Sequence, residues 1–362
     1  MIISIIAVLF TFGLVIFLHE LGHFIVCRLS GIRVEAFSFG FGPELWGRTS
    51  GPTRYSVRAV PLGGYVKPAG ENVDDVSGAP DEYFSKPWYT RLGVVFAGPV
   101  MNYLLAFLLF TGVILVSGVP AVSDKPLLGD ITRDFPAANA GLRSGDLIVK
   151  VNGAAVSAWK DMAGAIYGAV QKEISVTYSR GGEETTVKMT TVKSPDGSGR
   201  GVIGISPAVI YKDVSFSKGV AMGAHQCWYW TAFTVKTLAS NIYKREKPDL
   251  AGPIGIVNIV SKAAHTGLSD LVFLIGLISV AVGFFNLLPI PLLDGGHAVL
   301  YIFEGVSRRK LTPDLMKYVN AVGIAMILSI FLFATYNDIM RLISTRAARK
   351  ADAAAAAAQP GK

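Results

Sequence analysis

Four stretches of this chain run without a charged side chain for long enough to cross a bilayer, and this limits the fold more than any other feature. Residues 1–18 carry no charge, and apolar character resumes after His19 and Glu20 as far as Val26. The second stretch lies between Arg91 and Asp124, the third between Asp270 and Asp294, and the fourth from Val319 to Thr335. A hydrocarbon core about 30 Å thick needs roughly 20 such residues in a helix. Lipid leaves the backbone only a helix or a closed barrel. The first stretch lacks the positive leader and the small-residue cleavage site of a signal peptide, and its apolar run is longer. The expected fold is a polytopic α-helical membrane protein with four transmembrane helices.

Composition agrees. Charged residues make up 17% of the chain, against about 25% in soluble domains. The net charge of +8 is scattered between uncharged stretches, which suits anionic lipid and argues against a nucleic-acid partner. Cys27 and Cys227 are the only cysteines and lie far apart, so neither a disulfide framework nor a cysteine zinc site is expected.

Orientation follows from the loop between spans three and four, which carries Arg308, Arg309, Lys310 and Lys317 against Asp314. The positive-inside rule makes it cytoplasmic. The N-terminus and the large region 120–270 are then outside, and residues 30–90 inside. Arg341, Arg346, Arg349 and Lys350 fall outside, against the rule. The division expected is a membrane part over 1–118, an insert over 119–210, a connecting segment over 211–270, a second membrane part over 271–345 and a disordered Ala-rich tail over 346–362. Within the connecting segment, residues 219–235 are uncharged and carry Trp228, Tyr229 and Trp230. These side chains favour the membrane interface, so a helix lying on the membrane is expected there.

The first span ends in His19-Glu20-Leu21-Gly22-His23, an H-E-x-x-H pattern. Residues four apart share a helix face, so both imidazoles can hold one metal ion, and the Glu is placed to act as general base. A catalytic zinc takes three protein ligands and leaves one position open. His225 and His265 have no motif around them. Asp294 follows Asn286-Leu-Leu-Pro-Ile-Pro-Leu-Leu, where two prolines break the helix. Broken backbone at membrane depth is tolerated where it lines a cavity. With four spans, His19, His23 and Asp294 reach the same leaflet; a fifth span at 219–235 would separate them.

H-E-x-x-H in the first span, with N-x-x-P-x-P-x-L-D-G in a later one, resembles the site-2 protease family of intramembrane zinc metalloproteases. Ala97-Gly98-Pro99-Val100-Met101-Asn102 is similar to the family's second-span signature, and Pro61-Leu62-Gly63-Gly64-Tyr65-Val66-Lys67 to its membrane-associated β-hairpin segment. The closest branch is the bacterial RseP-type, with one PDZ domain here. The resemblance implies one zinc ion (Zn2+) per chain on His19, His23 and Asp294, with Glu20 as general base. It further implies Asn286 near the reacting carbonyl and Asn102 supporting the site. Gly63, Gly64 and Tyr65 would form a strand edge that pairs with unwound substrate. The implied substrates are single-span membrane proteins, such as anti-sigma factors after a first cut or remnant signal peptides, in the lipid bilayer of a bacterial inner membrane. The PDZ domain would be periplasmic and the active site toward the cytoplasm.

Phe135 to Gly153 resembles the core of a bacterial PDZ domain, a β-rich α+β fold. Asn152-Gly153 and Gly181-Gly182 read as tight hairpin turns. Leu128, Gly129, Asp130 and Ile131 are the expected peptide-carboxylate loop. Two roles stand open: binding trimmed substrate C-termini, or filtering substrates by size. Two rival functions remain beside the protease, a catalytically inactive membrane PDZ scaffold and an ion-coupled transporter.

Overall fold

The computed structural model describes residues 2–72, 76–244 and 252–357, with backbone alone for residues 62, 342 and 345–357. They form two compact units: residues 1–114 with 216–362, and residues 115–215.

The first unit opens with α1 (Ile2–Leu29). Its residues are apolar on all faces and only a minority are buried, as expected of a helix facing lipid. A long antiparallel pair follows, β1 (Val34–Ser50) and β2 (Thr53–Pro68). Phe17 and Phe24 of α1 pack on Phe37 and Phe39 of β1. Phe41, Leu45 and Trp46 toward the far end are exposed.

The next helix, α2 (Trp88–Ser117), contains Pro99. It meets α1 where a Cβ on Gly22 would overlap the Ala97 carbonyl. Among the described residues, four helices of the first unit are long and apolar enough to cross a membrane: α1, α2, α7 (Leu268–Asn286) and α9 from Pro313 to Arg341. Between α7 and α9 sits α8 (Asp294–Ser307). The backbone α9 continues to Ala357, so residues 346–357 are helical where a disordered tail was expected. Alanine is the strongest helix former and carries the helix on; residues 358–362 lie outside the described chain.

Beside α2 lies α5 (Phe216–Lys244). Gly223 abuts Thr111, and Thr231 Oγ1 is 3.0 Å from Tyr103 Oη. Contacts thus step forward along α5 as they step back along α2. The helix runs antiparallel along α2 from Gly223 to Thr231. The absence of a side chain at Gly223 permits that approach. Tyr103, Cys227, Trp230, Phe273 and Leu277 pack around Ala106, Phe110 and Val280. Asp338 of α9 accepts the backbone N–H groups of Gly252 (3.1 Å) and Gly255 (2.8 Å), capping α6 (Pro253–Thr266).

The second unit holds β3 (Val119–Val122), β4 (Leu128–Ile131), α3 (Pro136–Asn139), β5 (Leu147–Val151), β6 (Ala154–Ala155), α4 (Trp159–Tyr167), β7 (Glu173–Arg180), β8 (Glu183–Thr190), β9 (Val192–Lys193), β10 (Gly201–Val202), β11 (Ile205–Pro207) and β12 (Val209–Lys212). Four strands form one antiparallel sheet in the order β6-β5-β7-β8, and β4 pairs with β11. Asn152 and Gly153, and Gly181 and Gly182, all have positive φ, the type I′ geometry that two-residue hairpins favour. Ile148, Val151, Met162, Ile166, Ile174 and Val176 fill the core. Asp146 is buried in it, bound by Arg180 Nε at 2.7 Å and by the Arg143 N–H at 2.8 Å.

Candidate metal centre

Three segments of the first unit converge on one point. The end of α1 supplies His19 and His23, one turn apart. The chain after α7 supplies the third group. It leaves the helix at Asn286, passes Pro289 and Pro291, takes a positive φ at Leu292, and re-enters a helix at Asp294. Gly295 and Gly296 press on the carbonyls of Leu287, Leu288 and Ile290, where any Cβ would overlap. The turn is therefore tight enough to aim Asp294 back at α1.

One ligand atom from each of His19, His23 and Asp294 lies within 4.8 Å of the others. His19 Nε2 is 3.1 Å from Asp294 Oδ2, His23 Nε2 is 3.5 Å from Asp294 Oδ1, and the two Nε2 atoms are 3.2 Å apart. Three electron-pair donors facing one another in a buried setting suit a cation better than they suit each other. The outer contacts agree. His23 Nδ1 donates to the Val94 carbonyl at 2.8 Å, which leaves Nε2 with its lone pair toward the cluster. His19 Nδ1 faces the Asn102 amide at 3.1 Å. A metal-binding His19 carries its proton on Nδ1, and an amide offers its oxygen as readily as its nitrogen. The residues therefore fit a tetrahedral zinc with two imidazoles, one carboxylate and an open position.

Glu20 sits beside this cluster. Its Oε2 accepts the Val66 N–H of β2 at 3.1 Å. Gly64, two residues earlier on the same strand edge, has its backbone near Glu20 as well. Tyr65 lines the cavity, and its hydroxyl accepts from Arg58 at 2.9 Å. Gly63 instead faces the Phe41 ring, with φ of 133°. A cavity of about 700 Å³ opens onto His19, Glu20, His23, Asp294 and Asn286. Asn102 is buried behind it, and its carbonyl accepts from Ser279 at 2.8 Å.

Further cavity residues escape a reading of the sequence, among them Glu71, His297 and Asn320. His297 lies three residues beyond Asp294, a helical spacing that would have marked it. Its Nδ1 has no hydrogen-bond partner among the described residues, and its ring stacks on Tyr301 at 6.2 Å. Neither His225, stacked on Tyr229, nor His265, bonded to the Ser261 carbonyl, enters the cluster. In the second unit a separate cavity of about 370 Å³ lies between α4 and β11, with Ile203, Gly204 and Ile205 in its wall. Of the four residues expected to form the peptide loop, only Asp130 reaches it. Leu128 is in the core instead, because β4 pairs with β11 and presents its side chain inward.

The model of peptidase family M50 matches residues 7–330. A Clostridium acetobutylicum protein named "Putative zinc metalloprotease" is 34% identical over 343 residues, covering 93% of this chain and 97% of that one. The regulator of sigma-W protease RasP of Bacillus subtilis is 26% identical over 419 residues, covering 94% of this chain and 99% of RasP. A solved PDZ domain from Listeria monocytogenes is 24% identical, with a TM-score of 0.22, and covers 25% of this chain and 94% of its own. With its family matched across most of its length, the chain belongs to peptidase family M50 and is a membrane-bound zinc metalloprotease of the site-2 type.

Proposed function

We propose that this protease cuts peptide bonds within the membrane-spanning segments of single-span proteins in a bacterial inner membrane, with its active site toward the cytoplasm. The observation that carries the reading is the gathering of His19, His23 and Asp294 on helices apolar and long enough to span a bilayer. His19, His23 and Asp294 would hold one zinc ion per chain, which would supply the Lewis acidity that activates a water and polarises a carbonyl. Glu20 takes the proton from that water and passes it to the departing amine. The Asn286 amide donates to the oxyanion that develops.

A helix must unwind before its peptide bonds are open to attack. The edge of β2 from Gly64 to Val66 offers backbone groups that an extended substrate can pair with. At rest the Val66 N–H is held by Glu20, so a substrate strand pairing there exchanges with the base. Substrates with large ectodomains are first trimmed elsewhere, as for anti-sigma factors or remnant signal peptides. The second unit, as a periplasmic PDZ domain, either filters them by size or holds their new C-termini in the cavity beside α4.

The test is cleavage of a tagged single-span substrate by the purified full-length protein in detergent. Cleavage that a zinc chelator abolishes and added zinc restores supports the reading. Cleavage indifferent to chelation refutes it.

A further inference from the structure

We propose that Arg91 and Glu304 are positioning residues for the metal ligand Asp294: they clamp the far end of α8 to the first turn of α2. This rests on the reading of His19, His23 and Asp294 as the metal site.

Arg91 is 2% exposed, yet it is charged. Its Nη2 lies 2.6 Å from Glu304 Oε1, and its Nε donates to the Lys86 carbonyl at 3.1 Å. The guanidinium carbon is 5.0 Å from the Phe84 ring centroid and 4.7 Å from that of Tyr301. One turn earlier on α2, the Trp88 indole fills the space where a Cβ on Gly305 would stand. The first turn of α2 thus grips two consecutive residues of α8. A buried ion pair gives a fold little net stability over apolar side chains of the same volume. What this one does supply is direction, because a guanidinium held at three points admits one placement of its partner.

That placement reaches the metal site through the two helices. Asp294, His297, Tyr301 and Glu304 fall at spacings of three, four and three, one stripe of α8. Asp294 and Glu304 are about 15 Å apart along it. On α2, Arg91 shares a stripe with Gly98 and Asn102. Asn102 faces His19 Nδ1, the Val94 carbonyl accepts from His23, and Gly98 leaves room for both imidazoles. One rod therefore references all three ligands: two by direct contact, the third through Arg91. At its other end α8 is entered by non-helical chain, with no side-chain cap at Leu293. The clamp sets the tilt and register with which Asp294 meets the histidines.

The experiment uses the full-length protein in detergent and reads zinc affinity by competition with a chelating dye. The absorption of cobalt(II) bound in place of zinc reports ligand geometry, and thermal unfolding is followed in parallel. Arg91→Lys keeps the charge and loses the fork. The double variant Arg91→Met with Glu304→Met replaces the pair by apolar volume and guards against simple misfolding. Asp338→Ala, at the cap of α6, serves as a control that destabilises without touching α8. Both clamp variants should weaken zinc binding at least tenfold and alter the cobalt bands. The control should lower the unfolding temperature and leave both unchanged. Folded clamp variants with wild-type affinity and bands would overturn the proposal, as would a control that loses zinc in step with its stability. A wild-type chain that takes up no zinc would overturn the metal site itself, before any variant is compared.

Discussion

At the scale of single residues, the centre is built as much from what is missing as from what is present. Gly98 has no side chain, and a Cβ there would overlap His23 Nε2. Gly98→Ala should therefore displace a ligand and weaken zinc binding by about ten- to a hundredfold, the range for lost outer support. Dye competition measures it. Glu20 differs in kind. It is not a ligand, so Glu20→Gln should retain zinc while its cleavage rate falls by about 10²- to 10⁴-fold, read from single-turnover cleavage of a tagged substrate.

Much of this site was legible in the residues themselves. H-E-x-x-H on a helix fixes which face the imidazoles share, and the prolines before Asp294 mark where helix must give way to cavity wall. The N–H of Val66 was not legible, because a backbone donor has no signature in side-chain identity.

At the scale of elements, two carboxylates carry contrasting duties. Burial alone would raise the pKa of Asp146, but the hydrogen bonds from Arg180 and from the Arg143 N–H outweigh it and hold it below the ordinary carboxylate value. A depressed pKa means the stability it contributes is present above about pH 4 and is lost as pH falls through the folded-state value. Asp146→Asn should cost the second unit about 2 kcal/mol at neutral pH. It should also flatten the acid limb of the unfolding profile, followed by hydrogen exchange in the full-length chain. Asp338 instead caps α6 from a different helix. Asp338→Ala should cost about 0.5–2 kcal/mol and speed amide exchange at Gly252 and Gly255 first.

Elements also show where residue patterns mislead. The aromatic cluster of α5 fits an interface and Gly223 fits the helix to the flank of α2; a missing side chain does not announce what it packs against. In the second unit, the apolar Leu128 was expected in the peptide loop and lies in the core. Strand pairing with β11 decides for the core, and that pairing joins segments some 75 residues apart.

At the scale of the whole molecule, a metal site with polar walls has been placed among helices whose composition demands lipid. Each part explains the other. The membrane setting makes three ionisable groups within five residues expensive, and a cation held by His19, His23 and Asp294 would offset that cost. The apolar helices hold the ligands rigidly because α1, α7 and α5 each meet α2 through a glycine or a buried polar contact.

The most direct test measures zinc content and cleavage together in the full-length wild type, Glu20→Gln and Asp294→Asn. The account predicts close to one zinc per chain with cleavage in the wild type, the same zinc without cleavage in Glu20→Gln, and neither in Asp294→Asn. Full zinc and full activity in Asp294→Asn would contradict it.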